Sequence, residues 1–165
     1  MNYSAIKPVD IANGPGVRVS LFVSGCPHRC KGCFNEETWD YEAGELFTGG
    51  TWHEILRLCA RPFIAGLSLL GGEPLDPNNL HDVAILAASF KKKFPNKTLW
   101  CYTGYRWEEV SQLYFMKYID VLVDGPFIEE LKDLQLKFRG SANQRIIDVQ
   151  ESLKQGHVVL WEGER

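Results

Sequence analysis

The first 125 or so residues of this chain repeat one pattern, and it restricts the fold more than any other feature. A short β-prone run ends in an unusual polar or glycine-rich string, and a helical stretch usually follows. Val17 to Val23 (VRVSLFV) is β-branched and alternating, and SGCPHRCKGCF comes directly after it. Gly66 to Leu70 runs into Gly71, Gly72, Glu73 and Pro74, Thr98 to Tyr102 into Thr103-Gly104-Tyr105, and Ile119 to Val123 into Asp124-Gly125-Pro126. Between them, a helix is predicted from about 51 to 60, with Thr51 and Glu54 as a capping box and Pro62 beyond its end. Asp76 as N-cap and Pro77 at the first helical position open a second helix, with Leu80, Val83, Ala84, Ala87 and Phe90 on its apolar face and its end near Phe94. A third is predicted over Trp107 to Tyr118. Strands separated by helices cannot be joined by tight hairpins, so the pattern predicts an α/β fold with parallel pairing through right-handed crossovers. From about residue 127 the pattern loosens into a polar stretch, RGSANQR, IIDV, a short helix near Glu151 and a last strand in HVVLWE.

At 165 residues the chain can bury a sizeable core as one domain, 1–165, but it is too short for a complete eight-fold strand-helix barrel, which takes about 250. Hydrophobic residues make up 45%, with 15 Gly and 8 Pro, which excludes collagen-like and low-complexity chains. A net charge of -3 supplies no basic excess for a nucleic-acid backbone or an anionic membrane, so neither is expected as a partner. There is no leader-like N-terminus and no run of about 18 apolar residues, which predicts a cytoplasmic location. The five cysteines, Cys26, Cys30, Cys33, Cys59 and Cys101, are odd in number and are expected as reduced thiols rather than a disulfide framework.

The Gly, Cys, Glu, Thr and Asp strings all fall just after predicted strands. In a parallel sheet that is the carboxyl edge, where α/β folds hold ligands, so four loops should converge on one site. Cys26, Cys30 and Cys33 form CxxxCxxC in a loop with Gly25 and Gly32. Three thiolates in so short a loop suit a cubane 4Fe-4S cluster with one iron left open to bind substrate or cofactor. Structural zinc completed by His28, Cys59 or Cys101, or plain thiols, are the alternatives.

CxxxCxxC followed by an aromatic, Phe34, with GGEP after the next strand, resembles the radical S-adenosylmethionine (SAM) enzymes. The opening MNYxxIxPVDIxNGPGxR, then LFVSGCPHxCxGCxNxxTW, GGEPL, YTGY, VLVDGPF and RGSxNQR, resembles within them the glycyl-radical activases of anaerobic ribonucleoside-triphosphate reductases, over roughly Met1 to Val149. The resemblance implies that SAM chelates the open iron, that the Gly71-Gly72-Glu73 backbone binds its methionine amino group, and that Gly32, Cys33 and Phe34 lie against it, Phe34 near the adenine. Thr103 and Asp124 become ribose or carboxylate contacts, or else a helix cap and a turn-former. Reductive cleavage of SAM would give a 5'-deoxyadenosyl radical that takes a hydrogen from a glycine of the reductase, leaving a glycyl radical there. With only four strand-helix steps before the tail, the implied sheet is an incomplete barrel, open enough to admit a partner's loop. A one-electron donor such as flavodoxin is implied, and a homodimer or a complex with the reductase dimer is the implied assembly. A different glycyl-radical enzyme or a small molecule as substrate, or a zinc-stabilised interaction module, are the competing functions.

Other residues carry plainer readings. Cys59 and Cys101 are expected as core thiols, and His28 as a support for the cysteine loop. Lys91-Lys92-Lys93 reads as a solvated helix end. Trp107 and Phe127 are placed near the rim, within reach of a partner. Arg139, Asn143, Gln144 and Arg145 are assigned to docking or folding rather than catalysis.

Overall fold

The computed structural model describes residues 1–163. Its frame is one seven-stranded sheet that does not close on itself. The strands are β1 (Asn2–Asp10), β2 (Val17–Val23), β3 (Glu45–Leu46), β4 (Ile64–Gly71), β5 (Thr98–Tyr102), β6 (Val121–Asp124) and β7 (Arg145–Asp148), in the order β3-β1-β2-β4-β5-β6-β7. The central ladders β2-β4, β4-β5 and β5-β6 are parallel, as the alternation predicts. The margins are antiparallel: β1 on β2, β3 on β1 and β7 on β6.

The helices are α1 (Gly49–Cys59), α2 (Pro77–Lys93), α3 (Trp107–Val110) and α4 (Val149–Gln155). α1 starts earlier than the sequence suggests. Thr48 is its N-cap, reciprocally bonded with Thr51, so the box runs from Thr48 to Thr51 and Glu54 instead pairs with Arg57. α2 begins as predicted, with Asp76 accepting from the Asn78 amide and Pro77 at the first turn. The long third helix is not formed. One turn, Trp107–Val110, is followed by a 3-10 segment, Tyr114–Tyr118, whose Phe115 and Met116 are buried. In the tail, HVVLWE makes a single bridge, Leu160 to Ile147, rather than a strand.

Strand register sorts the side chains onto two faces. Leu21 lies beside Leu69, Leu69 beside Cys101, Cys101 beside Leu122 and Leu122 beside Ile147, an unbroken apolar row across five strands. Onto that row pack Ile55, Leu56 and Cys59 of α1 and Val83, Leu86, Ala87 and Phe90 of α2, forming the main core. Each of the Val, Leu, Ile and Phe side chains among them contributes about 1.5–3 kcal/mol of apolar burial. Among the described residues the other face carries no α-helix. There Trp100, Val121 and Val123 form a second cluster, joined by Tyr102, Ile146, Phe138 and Trp161 from the tail.

The amino-terminal end of this second face is polar. Arg18 is fully buried and, among the described residues, meets no carboxylate; it donates to Ser68 Oγ, Thr98 Oγ1 and the carbonyls of Pro15, Leu67 and Thr98. Burial lowers its pKa to about 10. Asp10 is held by Ser20 Oγ, the Ala12 amide and Asn13 Nδ2 at 2.6, 2.9 and 2.7 Å. Among the described residues no helix is long and apolar enough to cross a membrane.

Candidate active site

β2 ends at Val23 and the chain turns at once into the cysteine loop, which is anchored at both ends. The Gly25 amide donates to the Thr38 carbonyl at 2.7 Å and the Cys26 amide to the Trp39 carbonyl at 3.2 Å. Within the loop the Cys33 amide closes a turn onto the Cys30 carbonyl at 3.1 Å, and Arg29 takes a positive φ of 48°. β4 ends in Gly71, whose φ of 105° favours glycine, and Gly72 packs so closely under Gly25 that a Cβ there would strike the Gly25 carbonyl. The Gly72 and Glu73 amides donate to Val23 and Gly25 carbonyls at 2.8 and 2.7 Å. The cysteine loop and the GGEP turn are thus stitched into one surface.

The joint beneath that surface is the Glu73 carboxylate, fully buried. Oε1 accepts from His28 Nε2 at 2.7 Å, Thr103 Oγ1 at 2.9 Å and the Gly104 amide at 2.7 Å. Oε2 accepts from Thr103 Oγ1 and the Leu75 amide, both at 2.9 Å. Loops after β2, β4 and β5 therefore share one anion. Its hydrogen bond raises the His28 pKa, with burial opposing. His28 supports the loop, as the sequence suggests, and its Nε2 is not free for a metal.

Cys26, Cys30 and Cys33 are free, half-buried thiols that line one cavity of about 430 Å³, within the range of small-molecule sites. Phe34, Gly71, Gly72 and Thr103 line it too, so the structure brings together most of the residues singled out from sequence. Phe34 is 54% exposed and packs against Phe127 with ring centroids 5.0 Å apart and planes tilted by 56°. Three candidates sit elsewhere. Glu73 lies behind the cavity. Gly32, in the left-handed region with φ 76°, faces Glu129. Asp124, 1% exposed, takes Arg145 Nη2 at 2.6 Å and the Trp107 amide at 2.8 Å, so its side chain caps α3 and pairs with arginine.

The donor set fits a thiolate-held cluster better than a closed tetrahedral zinc. Cys59 and Cys101 are wholly buried in the core on the opposite face, where burial pushes Cys59 up to about 12 and Cys101 well above its ordinary value. Neither can complete a ligand set with the loop cysteines. Among the described residues no three His, Cys, Asp or Glu side chains are placed to hold a single metal ion. A cluster differs from such an ion in offering each thiolate its own iron. Burial raises the Cys26 thiol to about 11, against lowering by the His28 and Arg29 backbone, so ligation there must release a proton.

Sequence reasoning misplaced or missed several groups. Trp107 is buried in the core, not on the rim. Lys91 is not merely solvated, since Nζ binds Asp120 at 2.8 Å. The RGSANQR string fastens the tail to the exit of β6: Asn143 donates to Pro126 O, Gln144 to Gly125 O, and Arg139 to Gln144 O at 2.6 Å. Trp39 Nε1 and Tyr102 Oη, on residues lining the cavity, are buried with no hydrogen-bond partner among the described residues, and nothing in their local sequence marks them.

Residues 12–147 match the family model described as a 4Fe-4S single cluster domain. The chain is 45% identical over 146 residues to the anaerobic ribonucleoside-triphosphate reductase-activating protein of Enterobacteria phage T4, covering 88% of this chain and 93% of that one. It is 47% identical over 150 residues to the protein of that name in Vibrio cholerae, covering 88% and 97%. The Escherichia coli protein of the same name is 44% identical over 148 residues, covering 87% and 96%.

Proposed function

The chain belongs to the 4Fe-4S single cluster domain family and to the anaerobic ribonucleoside-triphosphate reductase-activating proteins, and on that premise we propose that it is a radical SAM activase that installs a glycyl radical on such a reductase. The observation that carries this reading is the meeting of all three loop cysteines, Phe34 and the Gly71-Gly72 turn on one cavity. Bound together there, a reduced 4Fe-4S cluster and SAM would supply one-electron cleavage of the SAM carbon-sulfur bond and, by way of a 5'-deoxyadenosyl radical, removal of a hydrogen atom from a reductase glycine.

This chain's residues hold and shield those groups. Cys26, Cys30 and Cys33 would ligate three irons and leave the fourth open. The backbone at Gly71 to Glu73, without side chains at its first two positions, would approach the methionine amino group, Cys33 would border the cofactor and Phe34 with Phe127 would flank the adenine, while Gly32, turned toward Glu129, would shape the loop rather than touch the cofactor. Thr103 lines the cavity while bonded to Glu73, so a ribose contact there would share its hydroxyl. Asp124 would act through Arg145 and the α3 amide rather than directly. We take residues 1–165 as one domain, an open, incomplete barrel of radical SAM type, which the single sheet from β1 to β7 supports. Reduced thiols favour the cytoplasm, with flavodoxin as one-electron donor.

Electron paramagnetic resonance of the anaerobically reconstituted, reduced protein tests the reading. The expected result is a reduced 4Fe-4S signal that changes when SAM is added, and a glycine-centred doublet on the reductase when it is present. Stoichiometric zinc without iron or sulfide would overturn it.

A further inference from the structure

Two large apolar side chains both line the cysteine cavity and remain open to solvent, so they stand at its mouth. Phe34 is 54% exposed and Leu134 83%, and of the exposed large apolar side chains among the described residues these two alone line the cavity. A leucine left that open gains the fold almost nothing, since it removes almost no apolar surface from water. One such residue by itself would need no explanation, but two on the rim of one cavity make a patch of the kind that marks a contact site.

Leu134 is carried by a loop, residues 131–142, that is paired across its base. The Ala142 amide donates to the Leu131 carbonyl at 2.9 Å and the Asp133 amide to the Gly140 carbonyl at 3.3 Å. The tip is hydrogen-bonded as well: the Gln135 amide donates to Asp133 Oδ1 at 2.8 Å and the Leu136 amide to the Asp133 carbonyl at 3.2 Å. Leu134 is thus displayed on a closed turn whose neighbours Asp133 and Leu136 also line the cavity. The same loop is joined to the cysteine side. Lys132 Nζ lies 5.1 Å from the centre of the Phe34 ring, and a Cβ on Gly140 would come within 2.9 Å of Phe34 and 3.1 Å of Phe127. Phe34 and Leu134 therefore belong to one rim. Resting on the function proposed above, the substrate is a glycine within another polypeptide. A small molecule could enter without touching Leu134, but a polypeptide that enters must lay its flanking surface on the rim, where a projecting leucine is matched by an apolar recess. We propose that the reductase docks on this rim, with Leu134 seated in an apolar recess of the reductase beside its radical-bearing glycine.

The test is Leu134→Ser in the cluster-loaded protein, with Leu46→Ser, an exposed leucine of β3 outside the cavity, as its control. Expected of Leu134→Ser are an unchanged thermal midpoint, an unchanged response of the reduced cluster's resonance to SAM, and binding to the intact reductase weakened at least about tenfold, the scale of one buried leucine. The glycyl radical yield should fall at low reductase concentration and recover at saturation. Leu46→Ser should bind like the unaltered chain. Equal reductase binding by Leu134→Ser would overturn the proposal; if sedimentation then shows a lost homodimer, the rim belongs to a second copy of this chain. An equal loss in Leu46→Ser would overturn it by showing that the effect is not local, and a weakened response to SAM by assigning Leu134 to the cofactor. If the unaltered protein binds the reductase but does not respond to SAM, the activase reading falls, while the two variants still decide the docking surface. No binding by the unaltered protein would end both.

Discussion

Replacing Glu73 with glutamine changes one atom, yet the structure makes it a severe substitution. With Oε1 retained, the amide nitrogen takes the place of Oε2 and its hydrogens face the Leu75 amide, which now donates to that position at 2.9 Å. A buried donor then meets a buried donor, and each is left unpaired at about 1–3 kcal/mol. The three bonds into Oε1, from His28, Thr103 and Gly104, survive but lose their charge assistance, which is worth roughly half of each. Flipping the amide only moves the clash to the Gly104 amide, since the Thr103 hydroxyl and His28 Nε2 can turn to accept. The sum is about 3–5 kcal/mol, a large part of the ~5–15 kcal/mol typical of a whole domain. Urea unfolding of the metal-free protein would show it as a midpoint lowered by about 1.5–2.5 M at an m-value near 2 kcal/mol/M. Glu54→Gln, which disturbs only an exposed pair with Arg57, should leave the midpoint where it was. A Glu73→Gln midpoint within about 0.3 M of the unaltered chain would refute the view that this carboxylate joins the three loops.

Cys26→Ala, Cys30→Ala and Cys33→Ala should each abolish deoxyadenosine formation, while Cys59→Ala, inside the core, should cost only about 1–2 kcal/mol by thermal unfolding; activity retained in any of the first three would remove that ligand. Asp10 titrates below its ordinary 3.8, because the hydrogen bonds from Ser20, Ala12 and Asn13 outweigh desolvation. Its ionised form therefore stabilises the fold at neutral pH, and that contribution fades as pH falls through the lowered pKa. Stability of the Asp10→Asn variant should vary less below pH 4, and a parallel pH profile would contradict this. Arg145→Met strands the buried Asp124 and should destabilise by about 2–4 kcal/mol, whereas adding Asp124→Asn should recover part of that loss; additive losses in the double variant would show that the pair is not coupled.

The parallel centre of the sheet was legible because each strand is a short apolar run closed by Gly, Pro or Asp. β1 was not: its residues are mostly half-buried or exposed, Pro8 interrupts it, and no alternation marks a core face. The helix over Trp107 to Tyr118 broke because Leu113 and Phe115 dip into the core with a spacing that one straight α-helix would not serve. In the site, the cysteines and the GGEP turn announce themselves by spacing. The partners of Glu73 do not, because His28 and Thr103 stand 45 and 30 residues away and meet it only through sheet register. Tyr102 is equally silent in sequence, since an unpaired hydroxyl is a property of surroundings alone.

Those separations also order events during folding. The β1-β2 ladder is local, but the three loops that share Glu73 meet only after two parallel crossovers have closed, and such non-local pairings form slowly. While the newly made chain lacks β4 and β5, the cysteine loop has neither the Gly72 turn beneath it nor a carboxylate for His28. A cluster held by these cysteines would therefore need a finished sheet, and any delay in docking β5 would lengthen the interval in which three bare thiols stand open to oxidation.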